Sequence, residues 1–69
     1  MVDMRFKPNE IQIPKKYFCS CSAISWFTAG YNDRLNDRKG PEEKDLRINQ
    51  GDDVWEAYCE GRRAAEEGM

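Results

Sequence analysis

The dipeptide Gly40-Pro41 constrains this chain more than any other feature. Proline has no amide proton to donate and its ring collides with the preceding turn, whereas glycine accepts the left-handed backbone that closes a helix. Arg38 and Lys39 stand just before it, where cations suit the negative end of a helix. A helix therefore ends near residue 39, and the chain divides into two helical segments instead of one rod.

Upstream, Ser20 or Ser22 supplies a capping hydroxyl. Ile24, Phe27, Tyr31 and Leu35 then recur at helical spacing beside Thr28, which predicts a helix over 22–39 with that stripe as its core face. On the same wheel Trp26 points nearly opposite, alongside Gly30, Asp33 and Asp37. It either receives the N-terminal segment or is offered to another molecule. Downstream, Asp53 followed by Glu56 is an acidic relative of the capping box, and Asp52 adds charge where a helix start prefers it, so a second helix is predicted over 53–67. Its face of Val54, Tyr58, Gly61 and Ala65, widened by Ala57 and Ala64, is mostly small, and Trp55 flanks it as core. Gly61 costs about 1 kcal/mol relative to Ala inside a helix, and close approach of another element is the expected compensation. Between the helices, residues 41–51 read as a charged linker in which Leu46 and Ile48 tuck under the hairpin, with a short helical turn at Glu42–Leu46.

Residues 1–19 do not read as helix. Pro8 and Pro14 bracket Ile11 and Ile13, which alternate with polar neighbours in the two-residue period of an extended chain. With no ladder partner in the sequence, this is an extended arm whose Phe6, Ile11, Ile13, Tyr17 and Phe18 lie on the helices, or which pairs with a second chain. The fold class is mainly α: one small domain over 1–69, a two-helix hairpin-like unit with an extended N-terminal arm.

At 69 residues and 39% hydrophobic the chain has enough apolar material to fold, but not enough to enclose both a core and a separate substrate pocket. A pI near 5.0 argues against a broad grip on nucleic acid, which depends on cations displacing counterions. No apolar run is long enough to span a membrane and the N-terminus lacks a signal peptide's pattern, so no membrane partner is expected and the cytoplasm is the default location. Cys19, Cys21 and Cys59 are an odd number and read as reduced thiols. With no His in the chain, neither a metal site, a cofactor nor a catalytic set is expected. Asp33 and Asp37, interleaved with Arg34 and Arg38, read as a solvated ion-paired face. Arg62 and Arg63 either join those arginines in clamping phosphates or carboxylates, or are neutralised by Glu60, Glu66 and Glu67.

Two phrases, Trp26-Phe-Thr-Ala-Gly30-Tyr31 and Trp55-Glu-Ala-Tyr58-Cys-Glu-Gly61-Arg-Arg-Ala-Ala65, set on two short helices across a proline-bearing linker, resemble the ribosome modulation factor family and its small phage- and plasmid-encoded relatives. The resemblance covers residues 23 to 65. It implies that Gly30, Tyr31, Trp55, Tyr58 and Gly61 are helix-packing residues of a two-helix unit, and that ribosomal RNA and proteins are the partners. The chain departs from the family in its acidic balance, in Gly40-Pro41 where the family has a Cys-Pro-aromatic turn, and in the added arm. The function expected is a non-catalytic binding protein, a phage or mobile-element inhibitor of a host protein. The alternative is a ribosome- or RNA-associated translation modulator. The expected contact set is Phe6, Ile11, Ile13, Tyr17, Trp26, Arg34, Arg38, Arg62 and Arg63, and homodimerisation through the arm or the Gly61 face is a further option.

Overall fold

The computed structural model describes residues 10–67. A 3-10 turn at Lys15–Tyr17 leads, among the described residues, into three α-helices: α1 (Cys21–Leu35), α2 (Glu43–Gln50) and α3 (Asp52–Glu67). Among the described residues there is no strand, so the protein is mainly helical but is not a plain two-helix hairpin. The linker read over 41–51 holds a whole extra helix.

α1 begins as its sequence indicates, with the Ser20 hydroxyl accepting from the Ala23 amide at 3.2 Å. It ends four residues before the predicted boundary. Asp37 takes the left-handed conformation (φ 55), the Arg38 amide donates to the Asp33 carbonyl at 2.7 Å, and the Asp37 amide donates to the Arg34 carbonyl at 3.2 Å. Those two bonds are a Schellman closure with aspartate in the place glycine usually holds. Gly40 does have positive φ (75), but as part of the connection rather than as the helix cap. Asp37→Gly should therefore raise stability by about 1 kcal/mol by relieving a left-handed β-carbon. A rise in Tm of roughly 5 °C would report it; an unchanged or lower Tm would show that the aspartate is not strained.

α2 and α3 are separated by Gly51 alone, whose φ of 102 reverses the chain between them. The predicted cap of the last helix shifts accordingly: Asp52 and Asp53 both sit inside the first turn of α3, where their charge faces the positive end of the helix.

The main packing contact joins α1 to α3, and α2 packs on α3 less extensively. Two glycines make the first contact close. A β-carbon on Gly61 would overlap the Phe27 carbonyl oxygen and lie 3.1 Å from the Phe27 Cα; one on Gly30 would overlap the Tyr58 carbonyl oxygen and lie 3.2 Å from the Arg62 nitrogen. Each helix thus presses a glycine against the other's backbone, and the small-residue face of α3 is filled by α1 of the same chain. That removes the Gly61 face as a dimer surface.

Two apolar clusters flank this seam. One joins Tyr17, Ala23, Phe27 and Ala57, with Ile11, Ile13 and Ala64 packed against it; the other joins Leu46, Val54 and Tyr58, with Trp26, Ala29 and Trp55. The arm segment closes the first and α2 closes the second. The inward face of α1 is consequently rotated from the predicted stripe: Ala23, Phe27, Thr28 and Gly30 are buried, whereas Ile24, Tyr31 and Leu35 are half-buried. Trp26 does not oppose the core. It meets the Tyr58 ring edge-on at 6.0 Å, while Trp55 stacks on Tyr58 at 5.9 Å.

Candidate functional site

Most of the expected contact set is occupied inside the molecule. Phe6 lies outside the described residues. Ile11 and Ile13 pack on the core of their own chain rather than standing free for a partner strand. Tyr17 is buried against Phe27, with ring centroids 5.9 Å apart, and its hydroxyl donates to Glu60 Oε2. Lys16 reaches the same carboxylate at 3.2 Å and Glu56 at 3.5 Å, and the hydrogen bond to Glu60 holds its ammonium above the ordinary lysine value. Glu60 therefore ties the 3-10 turn to α3 instead of neutralising the arginines beside it.

Arg62 is likewise engaged. Its Nη1 donates to the Arg38 carbonyl at 2.9 Å, to the Lys39 carbonyl at 3.4 Å and to the Tyr58 hydroxyl at 3.2 Å. The Tyr58 hydroxyl in turn donates to Asp33 Oδ2 at 2.8 Å. This knot fastens the segment after α1 onto α3, and Asp33 belongs to it rather than to a solvated surface. Arg34 lies 3.9 Å from Glu66, a loose exposed pair worth little. Arg38 and Arg63 are exposed, Arg63 lining a shallow depression with Glu56, Cys59 and Glu60.

The thiols of Cys19, Cys21 and Cys59 are all free and exposed. Partial desolvation, reinforced by the Glu43 carboxylate, pushes the Cys59 thiol above its usual value, which keeps it protonated and a poor nucleophile at neutral pH. Among the described residues no cluster of three or more Cys, Asp or Glu side chains is arranged to hold a metal ion, and no helix is long and apolar enough to cross a membrane.

What remains on the outside is two surfaces that the sequence reading did not single out. The first is the outward face of α2. Leu46 is buried and Ile48, two residues on, is 72% exposed. On a helix two positions are about 200° apart, so burying one forces the other outward. Glu43, Lys44, Arg47 and Ile48 line an open depression of about 450 Å³ there. Arg47 is fixed between Glu43 at 2.8 Å and Asp52 at 3.4 Å, which ties α2 to the first turn of α3. The second surface is the outer side of α1, where Cys21, Ile24, Ser25 and Thr28 line a mainly apolar groove of about 370 Å³. Phe18, three residues before that groove, is 60% exposed.

Both were detectable. Leu46 and Ile48 were read as jointly buried because the linker was not read as a helix of its own; once it is, their spacing separates them. The second signal is in the charge pattern: the stretch from Tyr17 to Asn32 contains no Lys, Arg, Asp or Glu, in a chain that is 35% charged.

No family model matches this chain, and no curated protein or solved structure matches it either.

Proposed function

We propose that this chain is a binding protein that occupies a site on a larger protein through the outward face of α2. The observation that carries the reading is Ile48, the most exposed large apolar side chain among the described residues, on a face whose flanking Arg47 is paired with two carboxylates. An exposed apolar side chain bordered by polar groups matches the apolar centre and polar rim of a protein contact. Glu43 and Asp52 balance the charge of Arg47 and Lys44 beside it, so the face favours an apolar pocket with a rim of mixed charge. Modulation of a host protein by blocking such a pocket follows the resemblance to phage- and plasmid-encoded relatives.

The ribosomal reading draws less support, because Arg62 is committed to Tyr58 and the Arg38 and Lys39 carbonyls, and the chain carries a formal net charge of -2. Affinity capture from host lysate with the immobilised full chain separates the two. The expected result is a protein that stays bound at about 0.5 M salt, where phosphate contacts are largely screened. Ile48→Ser should lower its affinity by roughly 30-fold, the effect of truncating a dominant anchor, with an unchanged circular dichroism melt. Ribosomes or RNA released steeply by salt would replace this reading with the ribosomal one, and a protein held equally well by Ile48→Ser would overturn the assignment of α2.

A further inference from the structure

We infer that residues 10–19 form a strap that opens as a unit off an intact body of three helices, and that the Glu60 carboxylate is the latch that holds it shut. The first ground is how the strap is held. The amides of Tyr17, Phe18 and Ser20 donate to the carbonyls of Pro14, Lys15 and Tyr17 at 3.0, 3.0 and 3.1 Å, so these bonds turn the segment on itself and attach it to neither α1 nor α3. Attachment falls to side chains. Tyr17 is buried against Phe27, but Ile11 and Ile13 are only half-buried and Phe18 faces outward. An open crevice of about 210 Å³ lies between Tyr17 and Cys19 of the strap and Asp53 and Glu56 of α3, so the segment does not seat flush on the start of that helix. The polar ties converge on Glu60, whose Oε2 accepts from the Tyr17 hydroxyl and whose Oε1 accepts from the Lys16 ammonium at 3.2 Å. A further pair, Lys16 with Glu56 at 3.5 Å, is exposed and worth little.

The second ground is that the body is complete without the strap. Gly30 and Gly61 press α1 and α3 together backbone to backbone, the cluster of Leu46, Val54 and Tyr58 joins α2 to α3, and the Arg62 knot pins down the chain after α1. None of these contacts includes a strap residue. The Ser20 hydroxyl caps α1 through the Ala23 amide, so the helix keeps its start when the chain swings at the exposed Phe18 and Cys19. A segment with one deeply buried side chain belongs to the low-stability end of a fold, where parts detach before the whole unfolds. Opening uncovers Ala23, Phe27 and Ala57, the residues on which Tyr17 packs. The strap thus switches an apolar face of α1 and α3 between hidden and presented, and one surface carboxylate sets the balance.

Amide hydrogen exchange of the full chain, followed residue by residue by NMR in reducing buffer at neutral pH, tests this. The amides of Tyr17, Phe18 and Ser20 should exchange at least about tenfold faster than those of Phe27 and Ala57, yet slower than in an unstructured chain. Glu60→Ala should speed the three strap amides by about tenfold, the effect of removing a charged acceptor, and leave Phe27 and Ala57 at their wild-type rates. Tyr17→Phe, which keeps the ring and deletes the hydroxyl, should also speed them. In the Glu60→Ala background it should add little, because the bond it removes is already gone. Glu56→Ala should change the strap rates by less than about threefold. Strap amides that exchange as slowly as Phe27 and Ala57, or as fast as in an unstructured chain, overturn the inference. So does a Glu60→Ala variant that speeds strap and body alike, and a Glu56→Ala effect equal to that of Glu60→Ala removes Glu60 as the latch. The α2 reading is independent of all these outcomes, since none of the variants lies on α2.

Discussion

Gly61→Ala is expected to destabilise the protein by about 3 kcal/mol, a large share of the roughly 3–10 kcal/mol that a chain of this length commands. Helix propensity alone predicts the opposite, a gain of about 1 kcal/mol. The two forecasts differ in sign because the methyl group would enter the space of the Phe27 backbone, 2.9 Å from its carbonyl carbon, and a backbone cannot swing aside as a side chain can. Gly30→Ala should behave alike, since its methyl meets the Tyr58 carbonyl group and the Arg62 nitrogen. Because both act on one seam, helices already forced apart by the first methyl accept the second more easily, and the double variant should lose less than the sum. Urea melts of the three variants decide the matter. A midpoint for Gly61→Ala equal to or above that of the wild type would mean that α1 and α3 do not meet backbone to backbone.

The second large effect is expected at Gly40. Its φ of 75 disfavours any β-carbon, and an added methyl would overlap the Tyr58 hydroxyl and lie 2.8 Å from Tyr58 Cζ and 3.1 Å from Asp33 Oδ2. Gly40→Ala should cost about 3 kcal/mol from strain and collision together. Tyr58→Phe should cost about 2 kcal/mol, because it leaves Asp33 and Arg62 without the hydroxyl they share. The two substitutions should couple: with the hydroxyl gone the alanine methyl loses its nearest obstacle, so the double variant should fall short of the sum. Additive losses would separate Gly40 from the Tyr58 knot.

Tyr58 also links stability to pH. Burial, and then its hydrogen bond to Asp33, raise the phenol above the ordinary 10.0. A group whose folded pKa lies above its unfolded value favours the folded state while protonated in both. Its contribution is full below about pH 10 and is lost as pH climbs through the raised folded value. The alkaline limb of the wild-type stability profile should therefore be steeper than that of Tyr58→Phe. Parallel limbs would show that the phenol is not held by the fold.

The helical class, a serine cap at the start of α1 and the packing role of Gly61 were legible from the residues, because each rests on local backbone chemistry or on a spacing within one helix, whereas the end of α1 was not, since Asp37 takes the left-handed position expected of Gly40. The candidate surfaces were legible only in part, through the uncharged run from Tyr17 to Asn32. Tyr17, Trp26 and Arg62 look like residues offered to a partner when read singly, since large aromatic and guanidinium groups have the same composition in a core as in a contact. Only the placement of α3 shows that Tyr17 meets Phe27 and Glu60, that Trp26 meets Tyr58, and that Arg62 holds down the chain at Arg38 and Lys39. Ile48 was missed for the converse reason, a linker too short and too charged for its helix to be evident until α3 buried Leu46.

By itself, then, the order of residues determined that the chain is mainly helical, that a serine caps the start of α1, that no helix runs through Pro41, and that glycine stands in the middle of the last helix, since these depend on neighbours within a few positions. Tertiary structure decided which face of α1 turns inward, that a third helix fills the linker, and which apolar side chains are left outside. Those outcomes depend on what α1, α2 and the arm can bury against α3 at once, and a burial shared among four segments is not encoded in any one of them.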